Sequence, residues 1–231
     1  MKNLPKILIV IVLFSSVVAF FAYAEEAKMP ENVPAATATT SQVPSVPQTV
    51  VEKIPLDNLQ TAYNFERNAN VRYLAYAQKA DAEGYSKAAG LFRAAARAEQ
   101  VHFERQAKMI EKFGGVPTAK IESPVINRST MENLKDALDG EVFESMIMYP
   151  RFLAQEENVN IKAEAVAFAN AREADAGHVR IFKFHLKRGV NTKDKRTDIY
   201  VCPVCANVIF VSEIKQCPIC GASRKNFIKV S

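Results

Sequence analysis

No basic run interleaved with aromatic residues occurs in the 231-residue sequence, which removes the electrostatic face expected of a nucleic-acid binder. No glycine-rich nucleotide-binding motif is present either. Histidine is scarce, at three residues, and so is cysteine, at four. There is no Arg-Arg pair and no cysteine near the apolar N-terminal run, which argues against export in the folded state and against lipid attachment. Otherwise the composition is that of a globular protein, 48% apolar and 24% charged, with a modest net charge of +5.

The scarce residues are not scattered. Glu99-x-x-His102 and Asp175-x-x-His178 each pair a carboxylate with a histidine three residues on, and each follows an earlier acid, Glu66 and Glu141, at nearly the same distance. The chain thus reads as one helix-pair unit written twice. Three helical residues turn through about 300°, so both members of a pair project on one face. Four such faces meeting in a bundle core would gather carboxylates and imidazoles around two metal ions. Unpaired buried carboxylates are costly, and a metal pair neutralises them. This donor set suits iron or manganese better than structural zinc.

The organisation around these residues follows from breakers and caps. Lys2 and Lys6 precede an apolar run, Ile7 to Ala22, and Ala22-Tyr23-Ala24 has a small-x-small cleavage pattern, so residues 1–24 read as a secretory signal. The competing reading is an uncleaved membrane anchor. Residues 25–53, with Pro30, Pro34, Pro44 and Pro47, are expected to form a flexible tether without helix. A first helix starts near Asp57 or Asn58 and stops at Gly84. A second runs from Ser86 to about Phe113, before Gly114-Gly115. Residues 116–128 make a longer crossing. Ser129-x-x-Glu132 is a capping box for a third helix to about Glu157, with a kink expected at Pro150. A fourth runs from about Ile161 to Gly189. One long crossing between two helix pairs is the up-down-down-up bundle of ferritin-like proteins, so the fold class is mainly α, with a ferritin-like domain over 54–190.

A small module over 197–231 carries all four cysteines, as Cys202-Pro-Val-Cys205 and Cys217-Pro-Ile-Cys220. Two such knuckles make a tetrahedral thiolate site for iron or zinc, with two disulfides as the alternative.

Here the residues resemble a known family. Glu66-Arg-Asn-Ala-Asn-Val-Arg-Tyr73, Ala98-Glu-Gln-Val-His102, Gly140-Glu-Val-Phe-Glu144, Met148-Tyr-Pro-Arg-Phe152 and the two Cys-Pro-x-Cys knuckles are similar to rubrerythrin, a di-iron four-helix domain followed by a rubredoxin-like domain with a four-cysteine metal site. The resemblance spans residues 56–231 and implies Glu66, Glu99, His102, Glu141, Glu144, Asp175 and His178 as di-iron ligands. It also implies one iron (or zinc) on Cys202, Cys205, Cys217 and Cys220, with Tyr73 and Tyr149 beside the ligand carboxylates. It implies a peroxidase that reduces hydrogen peroxide to water, and a head-to-tail homodimer. The rival readings are ferritin-like oxidation and binding of ferrous iron, and a non-catalytic metal-binding protein. Rubrerythrins usually carry Glu where this chain has Asp175, one methylene shorter. His185 has no matching partner and reads as a surface or packing residue. Export would place the protein in the periplasm, where its donor would be an exported redox protein or a membrane electron carrier.

Overall fold

Five helices and a three-stranded sheet follow the chain in the computed structural model, which describes residues 48–124, 128–157, 162–189, 198–210 and 214–230. The proposed signal and residues 25–47 of the tether lie outside the described residues. Helix α1 is Gln48–Ala82, α2 is Ser86–Lys112, α3 is Thr130–Phe143, α4 is Tyr149–Glu157 and α5 is Lys162–Arg188. Between α3 and α4, Glu144–Met148 forms a π-helical segment.

Two expectations need correction. The tether reads from sequence as free of helix to residue 53, yet α1 begins at Gln48. The four prolines that argue against helix, Pro30, Pro34, Pro44 and Pro47, all precede that residue. The irregularity expected at Pro150 begins earlier, as the wide π turn over Glu144–Met148.

The helix directions can be read from what each buries. Along α1 the buried residues run Leu59 and Ala62, then Glu66, then Ala69, Tyr73 and Tyr76. Along α2 the order is reversed: Ala88 to Ala96 precede Glu99 and His102, and Ile110 follows. The α3–α4 rod repeats the sense of α2, with Leu134 and Ala137, then Glu141 and Glu144, then Tyr149 and Phe152. Helix α5 repeats that of α1, from Phe168 through Asp175 and His178 to Phe182. The first and last groups collect into two apolar clusters, one around Tyr73, Tyr76, Phe92 and Phe182, the other around Tyr149, Phe152, Phe168 and Ile110. The charged residues form a layer between them. The chain is a ferritin-like four-helix bundle, up-down-down-up. The many alanines of α2 serve this twice, as strong helix formers and as small residues that let the helices approach.

The ends are set locally. Gly84 turns the chain between α1 and α2 at φ +80°, a left-handed conformation that L side chains adopt at a cost. The Ser129 hydroxyl accepts from the Glu132 amide while Glu132 Oε2 accepts from the Ser129 amide, completing the capping box at α3.

The crossing is tied to α1 by amides spaced four residues apart. Asn64 Oδ1 accepts from the Lys120 amide at 2.8 Å, and Asn68 Oδ1 accepts from the Glu122 amide at 2.8 Å. Asn68 Nδ2 also donates to the Lys120 carbonyl at 2.9 Å, and Gln60 Nε2 to Thr118 Oγ1 at 2.9 Å. Asn68→Ala is expected to lower unfolding stability by about 1–2 kcal/mol, read from denaturant melts, because two of these long-range bonds are lost together.

The C-terminal module belongs to the same compact unit as the bundle. Strands β1 (Tyr200–Val201), β2 (Val208–Ile209) and β3 (Ile228–Lys229) pair antiparallel in the order β2-β1-β3. Ile199, Val201, Ala206 and Val208 pack on Ala94, Ala98 and Val101 of α2. None of the described helices is long and apolar enough to cross a membrane.

Candidate metal centres

The layer between the apolar clusters holds five carboxylates and two imidazoles, none more than 3% exposed, so it is shielded from water on every side. His102 Nδ1 lies 3.0 Å from Glu99 Oε2 and 3.6 Å from both Glu66 Oε1 and Asp175 Oδ1. His178 Nδ1 lies 3.1 Å from Glu141 Oε2, 3.6 Å from Asp175 Oδ1 and 3.8 Å from Glu99 Oε1. Two sets of potential ligand atoms result: Glu66, His102 and Asp175, and Glu99, Glu141, Asp175 and His178. Within each set the atoms lie within 4.8 Å of one another. Asp175, the shorter acid, is the one residue common to both. Glu144 is fully buried beside Glu66 and Glu141, outside both sets, and the Arg72 guanidinium partly compensates its charge. Glu173 is exposed and pairs with Arg172 at 3.7 Å.

The layer lacks partners of its own. Glu66 Oε2, Glu99 Oε1, Glu144 Oε2 and both oxygens of Asp175 are buried without a hydrogen-bond donor. Native structures avoid such orphans, and two divalent ions would satisfy them with the chemistry this donor set favours. The imidazoles agree. Their outer nitrogens lie 3.3 Å from the carbonyls of Cys205 (His102 Nε2) and Ala206 (His178 Nε2). A proton on Nε2 meets those carbonyls and leaves the Nδ1 lone pair facing the carboxylates, as a metal ligand requires.

Without metal, electrostatics splits the acids. Burial pushes the carboxyls of Glu99 and Glu144 well above the usual carboxylate range, with further lifts from Glu66 and Glu141. Asp175 is lifted in the same way by burial and then by Glu141 and Glu66. Burial opposes ionisation of Glu66 too, but the nearby His102 outweighs it and holds Glu66 at about 2. A group whose folded pKa is raised adds stability below its unfolded pKa and loses it as the pH rises through the folded value. Glu66 acts in the opposite sense. Between about pH 5.5 and pH 8 Glu66 is ionised in both states and, of these acids, only the three raised ones act, so the metal-free protein is expected to melt lower at about pH 8 than at about pH 5.5. Added ferrous ion should abolish that slope; circular-dichroism melts at the two pH values check it.

Two tyrosines hold the layer's edges. Tyr73 Oη donates to Glu141 Oε1 at 2.9 Å. Tyr149 Oη donates to Glu66 Oε1 and accepts from Gln106 Nε2, the latter at 3.0 Å. Burial raises both phenols well above the ordinary tyrosine value, so they stay protonated. Gln106 is a functional neighbour that sequence reasoning misses, although its place one turn after His102 was the available signal.

In the module, Cys202 Sγ and Cys220 Sγ are 3.6 Å apart and Cys205 Sγ and Cys217 Sγ 3.4 Å apart, with all four thiols free. A disulfide needs about 2.05 Å, whereas four thiolates about 2.3 Å from one metal stand about 3.8 Å apart. The disulfide alternative therefore does not fit, and a four-thiolate metal site does. The two knuckles repeat the same bonds, Ala206 N to Cys202 O at 3.1 Å and Gly221 N to Cys217 O at 3.0 Å. Both residues after the second cysteine are left-handed, Ala206 at φ 67° and Gly221 at φ 73°. Asn207 Nδ2 points to Cys217 Sγ at 3.9 Å. The Arg105 guanidinium binds the Val204 carbonyl and fixes the first knuckle to α2.

A family model described as Rubrerythrin matches residues 57–186. The chain belongs to the rubrerythrin family. A putative rubrerythrin of Methanocaldococcus jannaschii is 33% identical over 76% of this chain and 92% of its own length. Nigerythrin of Nitratidesulfovibrio vulgaris is 31% identical over 74% of this chain and 84% of its own. Rubrerythrin-2 of Clostridium acetobutylicum is 29% identical, covering 74% and 94%. Among solved structures, fully reduced, all-ferrous nigerythrin superposes with a TM-score of 0.71 over 88% of this chain and 100% of that one, at 23% identity. A bacterioferritin of Desulfovibrio desulfuricans, solved with its diiron site in several catalytic states, gives 0.59 over 64% of this chain and 88% of that one. Rubrerythrin membership and the ferritin-like fold match a bundle site for two irons and a rubredoxin-like site on the four cysteines.

Proposed function

We propose that this rubrerythrin-family protein is a peroxidase that reduces hydrogen peroxide to water. Glu66, Glu99, His102, Glu141, Asp175 and His178 would hold the iron pair, Glu144 would complete the set, and the four cysteines would hold a single iron. When bound, the iron pair supplies two electrons and Lewis acidity at the O–O bond. The chain's own residues do the rest. The two apolar clusters keep bulk water from the layer. Tyr73 and Tyr149, protonated and bonded to Glu141 and Glu66, fix the direction of those carboxylates. Peroxide reduction consumes two protons, which have to reach the layer from outside it once its carboxylates are ionised by metal binding.

One observation carries this reading over iron storage. Both imidazoles touch the backbone of the first cysteine knuckle, through the Cys205 and Ala206 carbonyls. Iron storage has no use for a redox site bonded to both histidines, whereas a peroxidase needs electrons replaced after each turnover. These contacts are made within one chain, and exchange of modules in the expected head-to-tail homodimer would reproduce them. We extend the proposal to that dimer and to an exported, periplasmic location.

The test is protein purified without oxygen, analysed for metal and then reduced and mixed with peroxide. About three irons per chain, two in the bundle and one on the cysteines, and rapid peroxide consumption are expected. Slow reaction with peroxide, but fast oxidation of added ferrous ion by dioxygen with mineral accumulation, would favour storage. Absence of ferric-thiolate absorption would assign the cysteines to zinc.

A further inference from the structure

Electrons must enter the cysteine module from outside, and a cavity of about 650 Å³ lies against it. The volume is in the range of small-molecule sites. Its walls are the start of α2, the second half of α5 and the strand β2 region of the module. The floor is apolar and aromatic, from Ile181, Phe184, Val208 and Phe210. His185, left unexplained by the metal centres, lines it too. Its ring packs on Phe210 at 6.3 Å and its Nδ1 lies 2.9 Å from the Ile181 carbonyl.

The charge of the cavity is one-sided. Lys87, Arg180 and Arg188 line it, and none of its described lining residues is acidic. Arg180 and Arg188 are exposed, and Arg188 sits over the Phe184 ring at 5.1 Å, which holds a guanidinium at the aromatic wall. At its inner end the cavity reaches Pro218, inside the second knuckle, and Asn207, whose amide points to Cys217 Sγ. Gly177 leaves this end open, since a side chain there would start 3.6 Å from both Asn207 Oδ1 and Arg180 Nη2 and grow into the space between them.

An apolar and aromatic wall, a set of cationic side chains and an end at Pro218 and Asn207, the neighbours of the Cys217 thiolate, describe a site for a planar organic anion that exchanges electrons. We propose that the cavity binds an aromatic redox anion of the flavin mononucleotide class and is the port through which electrons enter the cysteine module. The ring system would lie on Phe184 and Phe210, and the phosphate would meet Arg180 and Arg188. In the donor step the reduced flavin anion loses two electrons and one proton to become oxidised flavin. The electrons pass singly to the thiolate-bound ferric ions of two chains. This donor role rests on the relay reading above and puts a diffusible molecule in place of the expected redox protein or membrane carrier; the binding claim stands apart from it.

The experiment titrates the full metal-loaded chain into flavin mononucleotide and follows flavin fluorescence. Saturable binding at one per chain is expected, with riboflavin, which lacks the phosphate, at least about tenfold weaker. Arg180→Glu and Arg188→Glu, both on exposed side chains, should each raise Kd by about tenfold or more. Lys112→Glu, exposed and outside the cavity, should leave Kd unchanged. Zinc-loaded protein should bind equally well, which separates binding from the relay. With iron present, reduced flavin mononucleotide should bleach the ferric-thiolate band of the parent chain and fail to do so in Arg180→Glu. No saturation, equal affinity for riboflavin, or an unchanged Kd in both arginine variants would overturn the site. Equal bleaching of parent and Arg180→Glu would overturn the port.

Discussion

Asp175→Ala is expected to empty the bundle of both irons while leaving the thiolate-site absorption intact. Asp175 alone belongs to both sets of ligand atoms, with Oδ1 3.6 Å from each histidine Nδ1. Loss of a residue that merely orients a ligand weakens metal binding by about 10–100-fold, and loss of a shared ligand should exceed that at each iron. Stability should separate the two states of the protein. Metal-loaded protein loses whatever the metals contribute. Metal-free protein loses a buried carboxyl that has no hydrogen-bond partner, against a small cavity, so its stability should change by no more than about 1 kcal/mol. Iron analysis with paired melts of loaded and metal-free protein checks both halves. A purely structural aspartate would lower both melts together. Glu144→Ala, removing an acid outside both sets, is expected to weaken iron binding less than Asp175→Ala does.

Cys205→Ser is the second large effect. Cys205 is buried in the module's own cluster and gives the site one of its four sulfurs. Metal binding to small thiolate modules is worth about 10–16 kcal/mol of folding free energy, far more than three two-residue strands supply. The module should therefore lose its metal and its fold, seen as loss of visible absorption and of amide protection over residues 198–210. The consequence crosses to the bundle. His102 and His178 lose their carbonyl acceptors, and the iron pair should weaken by about 10–100-fold although no bundle residue has changed. Unaltered affinity at the pair would show that water replaces those carbonyls without penalty.

Much of this could be read before the structure. The helices were legible because glycines and a capping box end them and apolar residues recur at helical spacing. The two ligand sets were legible because the carboxylate–histidine repeat fixes both a face and a height along each helix. The π segment was not, since Glu144–Met148 carries no glycine, proline or other break that would mark it. Nor were the asparagine ties between α1 and the crossing, because an asparagine four residues from another reads as an exposed helix face until a partner strand lies on it. The docking of the cysteine knuckle was the least visible. Its bonds to His102 and His178 join residues 103 and 28 positions apart, and no local pattern encodes such a meeting.

The left-handed alanine at 206 carries one more implication. The module's two knuckles are near copies in sequence and in hydrogen bonding, so either could in principle be turned toward a helix surface. Gly221 meets its φ of 73° without cost, and Ala206 holds almost the same angle at a penalty of about 1–2 kcal/mol. The extra methyl is fully buried and packs with Ala94 and Ala98, a foothold that glycine could not offer. A single carbon thus joins the Arg105 bond and the strand residues in favouring one of two similar faces for the contact with α2.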